Sequence, residues 1–228
     1  CLFSKDLLFA LDDSSTVGAS LFAQQQLFAA EVSRRQAIST GSSGSGDGDE
    51  DSTRVGVSTF ASSVVSAINI DGNTDYAALR SDIMTVPYSG NILKKTASML
   101  TAVKDNTAWL PYQGDNAGTQ RVLVVMTEGL PFPESTAQVS AAAAALRATN
   151  VTVLVVAPAT ADADANAMYT SMVSADGGVF FFNDATALLS TVMEAVADKV
   201  CNIAEGTQSP TVSPTTSPTT SDPSASPT

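Results

Sequence analysis

Five short apolar runs, at residues 7–11, 55–60, 122–126, 151–156 and 179–182, divide the chain. Each has the length of a β-strand. Their hydrophobicity is nearly continuous rather than alternating, as strands covered on both faces require, so the pattern predicts a mostly parallel sheet. A sixth stretch, 64–70, mixes Ser and Asn with Val and Ile and follows the second run after a short turn. It reads as an antiparallel edge strand. Helical patterns fill the gaps, first at 17–38, where Val17, Leu21, Phe28 and Val32 recur near helical spacing. Others are expected at 76–84, 93–108, 135–148, 164–174 and 185–200. The fourth opens with Ser135 and Gln138 placed as a capping box, and the last carries Leu188, Leu189, Val192 and Val196 on one face. Strands alternating with helices predict an α/β fold: a doubly wound, mostly parallel six-stranded sheet of Rossmann-like type, with one antiparallel edge strand and helices on both faces.

The apolar periodicity is confined to residues 1–203, which are read as one domain. Residues 39–52 lack apolar anchors and read as a flexible acidic loop; Asp47, Asp49, Glu50 and Asp51 reproduce only part of a calcium-loop pattern. Residues 204–228 repeat Ser-Pro-Thr at 209–211, 213–215 and 217–219. They are expected to form a disordered, extended stalk whose hydroxyls could carry O-linked sugar or remain bare. No uninterrupted apolar stretch reaches the roughly 18 residues of a membrane span, so no insertion of this segment into a bilayer is expected; any leader or anchor is expected outside it. Eleven basic against twenty-three acidic residues give a net charge of −12, which disfavours nucleic acid as a partner.

The two cysteines, Cys1 and Cys201, bracket the expected domain. In an oxidising compartment they would close it with a disulfide; the alternative is two separate thiols at its edges. Asn150-Val151-Thr152 is an N-glycosylation sequon, and Asn150 is equally suited to ending a helix.

In a doubly wound sheet, ligands collect beyond the carboxyl ends of the central strands. The first strand runs into Asp12, Asp13, Ser14, Ser15, Thr16, Val17 and Gly18. Asp12, Ser14 and Thr16 occupy alternate positions of that turn and offer one carboxylate and two hydroxyls, hard oxygen donors of the kind Mg2+ or Mn2+ prefers. The run at 122–126 ends in Thr127, Glu128 and Gly129, which brings a second carboxylate alongside if the two strands are neighbours.

These segments resemble the von Willebrand factor type A family. LLFALDDSSTVG is similar to its first strand with the Asp-x-Ser-x-Ser motif, VLVVMTEGLP to the strand that ends in Thr-Asp-Gly, and GGVFFFNDATALLSTVMEAVADKVC to its last strand and helix with the flanking cysteine. The resemblance implies a metal-ion-dependent adhesion site of Asp12, Ser14, Thr16 and Glu128, holding Mg2+ or Mn2+ with one position open for an acidic side chain of a protein or extracellular-matrix ligand. Two departures bear on that site. Glu128 stands where the family has Asp, and the second loop, YSGNILKKTASML, places Lys94 or Lys95 near the family's Thr, with Thr96 the nearest hydroxyl. A lysine there could set its ammonium where the metal would sit and neutralise Asp12, leaving a cation-free site.

The function expected is an extracellular, secreted or cell-surface adhesion or protein-binding module, not an enzyme; the alternative is a metal-free structural component of a surface or matrix. A haloacid dehalogenase-like phosphohydrolase also places an Asp after its first strand, but it needs a second Asp where Ser14 stands. The chain contains no His, which excludes a Ser-His-Asp triad, and no Gly-Lys-Ser/Thr follows a strand as in a P-loop.

Overall fold

The computed structural model describes residues 5–36, 53–70, 75–105, 120–160 and 162–203. Cys1, the acidic loop at 39–52 and the tail at 204–228 lie outside these residues.

Six strands form one sheet: β1 (Lys5–Asp12), β2 (Thr53–Phe60), β3 (Val64–Ile68), β4 (Gln120–Met126), β5 (Val151–Pro158) and β6 (Gly178–Phe182). Their order is β3-β2-β1-β4-β5-β6. All neighbouring pairs are parallel except β2 with β3, whose antiparallel register includes a shift between Val57 and Ser58. The near-continuous apolar runs are therefore the parallel strands, and the mixed Ser/Asn stretch is the edge, as their patterning predicts.

The side chains of β1 show why both faces need cover. Leu7, Phe9 and Leu11 join a core containing Phe28 and Val32 of α1 (Gly18–Arg34), Leu79 and Ile83 of α2 (Tyr76–Thr85), and Val196 and Val200 near the C-terminal end. Leu8 and Ala10 point the other way. Their core is completed by Leu100 and Val103 of α3 (Thr96–Lys104), Val139 and Leu146 of α4 (Thr136–Arg147), and Tyr169 and Met172 of α5 (Ala163–Met172). The period-two alternation along a doubly covered strand thus supplies two separate cores.

Local chemistry sets several boundaries. Ser135 and Gln138 form the expected reciprocal capping box at the start of α4. The Asp162 carboxylate accepts from the backbone of Asp164 and Ala165 and starts α5. The last helical segment departs from a plain helix. A short α6 (Ala185–Ala187) passes through a π-helical turn (Leu188–Val192) into α7 (Met193–Asn202). That turn buries Leu188 and Val192. The apolar positions Leu188, Leu189, Val192 and Val196 suit a plain helix equally well, so periodicity does not reveal the turn.

Because β1 sends its chain toward β2 while β4 sends its chain toward β5, the winding reverses between β1 and β4. The loops leaving those two carboxyl ends part there and expose the crevice that holds the candidate site.

Candidate functional site

Asp12 closes β1 one residue beyond Leu11, which pairs with Met126 at the end of β4, and is completely buried. Its Oδ1 accepts the Ser14 backbone N–H at 3.0 Å, which tightens the turn. Its Oδ2 accepts the Thr127 hydroxyl at 2.8 Å and faces the Glu128 backbone N–H at 3.4 Å. Ser14 Oγ and Thr16 Oγ1 lie 2.9 Å apart. The structure therefore brings the turn after β1 and the turn after β4 together at the Asp12 carboxylate, which meets the Ser14 and Glu128 backbones and the Thr127 hydroxyl, while Ser14 and Thr16 pair through their hydroxyls. Gly129 adopts a φ of 69°, in the left-handed region that favours glycine, and its N–H donates to the buried Tyr169 hydroxyl at 2.6 Å. Burial pushes the Tyr169 hydroxyl up to about 12, while the Gly129 bond opposes the rise.

A third loop, between α2 and α3, completes the site. Its backbone is stitched to the first turn by Ser15 N–H to Asn91 O at 2.7 Å and Gly90 N–H to Asp13 O at 3.0 Å, and the Tyr88 hydroxyl donates to Ser14 O at 3.1 Å. On its other side, Lys94 and Phe132 exchange backbone hydrogen bonds of 2.7 and 3.0 Å. Those contacts direct the Lys94 side chain inward. Lys94 is 2% exposed, and its Nζ lies 3.1 Å from Asp12 Oδ2. The approach is that of an ion pair rather than an aligned hydrogen bond, and Nζ has no hydrogen-bond partner among the described residues. Lys95 is half-buried and caps no backbone with its side chain.

This arrangement does not fit a divalent cation on Asp12. A cation there would share one carboxylate oxygen with a buried ammonium, and at a separation of a few ångströms in a poorly solvated site like-charge repulsion is strong. Among the described residues, no three His, Cys, Asp or Glu side chains are grouped as metal ligands. Burial raises the Glu128 carboxyl above its ordinary range; the nearby Lys94 charge opposes the shift and Asp12 adds to it. Burial likewise raises Asp13, opposed by a Ser89 hydrogen bond and reinforced by Asp12.

Glu134 carries a role that sequence reasoning missed. Its carboxylate accepts from the backbone N–H groups of Ala97 and Ser98 at 2.5 and 3.0 Å and from the Ser98 hydroxyl at 2.6 Å. It thus caps α3 from another segment and holds the loop that delivers Lys94. No local signal could reveal it, because helix-capping patterns are read within a few residues of the helix start. Glu134→Ala is expected to lower stability by about 1–2 kcal/mol, the ordinary effect of losing an N-terminal cap, measured by urea unfolding.

The remaining candidates lie elsewhere. Asn150 begins the turn into β5, at the end of the sheet opposite Asp12, and has a φ of 60°, suited to ending a helix; its N–H donates to Arg147 O at 3.2 Å. Cys201 lies near the end of α7, and its carbonyl accepts from Lys5 Nζ at 3.0 Å.

The von Willebrand factor type A domain family model matches residues 6–195. No curated protein matches the sequence significantly. Among solved structures, proximal thread matrix protein 1 from the mussel byssus, described with a zinc-occupied metal-ion-dependent adhesion site, superimposes with a TM-score of 0.71 at 18% identity. The match covers 88% of this chain and 49% of the mussel chain, so this chain spans about half that protein's length. The SpRpn10 VWA domain superimposes with a TM-score of 0.61 at 15% identity, over 86% of this chain and 95% of that one. The chain belongs to the von Willebrand factor type A family, whose members serve as protein-interaction modules and often bind a metal at this position.

Proposed function

We propose, with membership of this family as the premise, that the chain is an extracellular protein-binding module that recognises a protein or matrix ligand at the carboxyl end of its sheet, and that Lys94 replaces the divalent cation there. The observation that carries this reading is the buried Lys94–Asp12 pair. A positive charge already faces the carboxylate, so the three loops can be held together without a metal.

The recognition surface follows from what surrounds that pair. With Asp12 neutralised from within and Lys94 buried, the site presents no open cation to an acidic ligand. Exposed Ile92, Leu130 and Phe132 instead belong to the loops flanking it. Phe132 and Lys94 are joined through their backbones, so the apolar rim and the internal cation share one support. An exposed apolar surface of this kind suits contact with a protein. The same pairing argues against catalysis, since Asp12 is not available as a free nucleophile.

Residues 204–228 would hold this module away from whatever it is attached to, and a Cys1–Cys201 disulfide would close residues 1–203 as one domain. The short distance along the chain supports that bond. Cys1 precedes Lys5 by four residues, a reach of at most about 14 Å, and Lys5 Nζ touches the Cys201 carbonyl. Among the described residues, no helix is long and apolar enough to cross a membrane.

The test is calorimetric melting in chelator and in excess Mg2+, Mn2+ or Zn2+. A cation at a hundredfold its dissociation constant would stabilise the fold by about 2.7 kcal/mol. Superimposable traces are expected. A cation-dependent rise that disappears in Asp12→Ala would return the site to a metal.

A further inference from the structure

A cavity of about 690 Å3 runs along the free side of β3 and the C-terminal end of α2. Its lining includes neither Lys94 nor Asp12. Asp13 is among its lining residues. Asp13 is 6% exposed; Ser89 hydrogen-bonds its carboxyl, but its Oδ1 is buried with no hydrogen-bond partner among the described residues. Most buried carboxylate oxygens have a donor, because an unanswered one loses hydration without compensation.

We infer that this cavity is a second binding site, taking a basic side chain of a partner polypeptide whose ammonium or guanidinium meets Asp13. The lining matches such a group in each part. Val65, Ile68, Val86 and Pro87 supply apolar wall for a methylene stem, and exposed Asp82 adds a second negative charge. None of the lining residues is basic. The chain as a whole carries 23 acidic and 11 basic residues, so long-range attraction favours a cationic partner. A hard divalent ion fits less well, since it requires about six oxygens and much of this wall is hydrocarbon. A polypeptide is favoured over a small amine because the cavity follows successive residues of an edge strand, Val65 to Asn69, which carries no further strand on that side among the described residues.

The experiment is a titration followed by amide NMR, with acetyl-Gly-Arg-Gly-amide as probe and the same peptide carrying citrulline as the uncharged control. Saturable shifts centred on Asp13, Val65 and Asp82 are expected with the arginine peptide. Binding is expected to weaken about tenfold or more with citrulline, in Asp13→Asn and in Asp82→Lys. Asp82 is exposed on its helix, so the second variant remains informative if the first fails to fold. Absence of saturable shifts, shifts centred elsewhere, or equal binding by both variants would overturn the inference. So would the same shifts produced by MgCl2 alone, which would indicate a metal site, or equally tight binding of butylguanidine, which would indicate a small organic cation. None of these results depends on the metal-free reading of Asp12, which melting tests by itself.

Discussion

Lys94→Met is expected to destabilise the domain by about 3–5 kcal/mol at neutral pH, the usual consequence of removing one member of a buried ion pair. Methionine keeps most of the volume and apolar contact of the lysine stem, so the loss reports the charge. What remains is a fully buried Asp12 carboxylate that has hydrogen bonds from Ser14 and Thr127 but no countercharge. Urea unfolding of both proteins at neutral pH measures this. Asp12→Ala combined with Lys94→Met is expected to cost less than the two single changes added together, since no unpaired charge is then left buried. Equal stability of the parent and Lys94→Met at neutral pH would remove the ion pair from the account. In Lys94→Ala, which also opens space, Mn2+ is expected to recover part of the loss. The oxygens of Asp12, Ser14, Thr16 and Glu128 would then face an ion without a competing ammonium.

The second large effect concerns the two ends of the domain. Reduction, or Cys201→Ser, is expected to lower stability by about 5 kcal/mol, the chain-entropy value for a closed loop of some 200 residues. For a domain of this size that corresponds to a fall of roughly 10–20 °C in melting temperature. Unfolding with and without reductant, paired with a thiol count on the oxidised protein, decides the matter. Two titratable thiols and no response to reductant would refute the bond. The same measurement bears on location, because such a bond persists in an oxidising compartment.

Much of this protein is legible along the chain because its elements are separated by strong contrasts. The parallel strands are apolar runs bounded by polar turns, and Ser135 with Gln138, or Asp162 before α5, announces a helix start within a few residues. Turn chemistry also exposes the first half of the site: Asp12, Ser14 and Thr16 follow one strand, and Glu128 follows another. The second loop is less legible. Lys94 and Lys95 are adjacent and chemically alike, and either could be written as the residue that reaches Asp12.

Sequence alone determined the order of strands and helices, the sheet they form and the pair of turns that could meet, since these follow from local periodicity and from the burial each run demands. Tertiary structure decided that Lys94 is the buried partner and Lys95 is not, that Glu134 caps a helix it does not belong to, and that Asp12 and its neighbour Asp13 enter different surroundings. The physical reason is that the energy of a charge depends on what desolvates and faces it. Those groups come from segments far apart in the chain and meet only when the sheet is assembled.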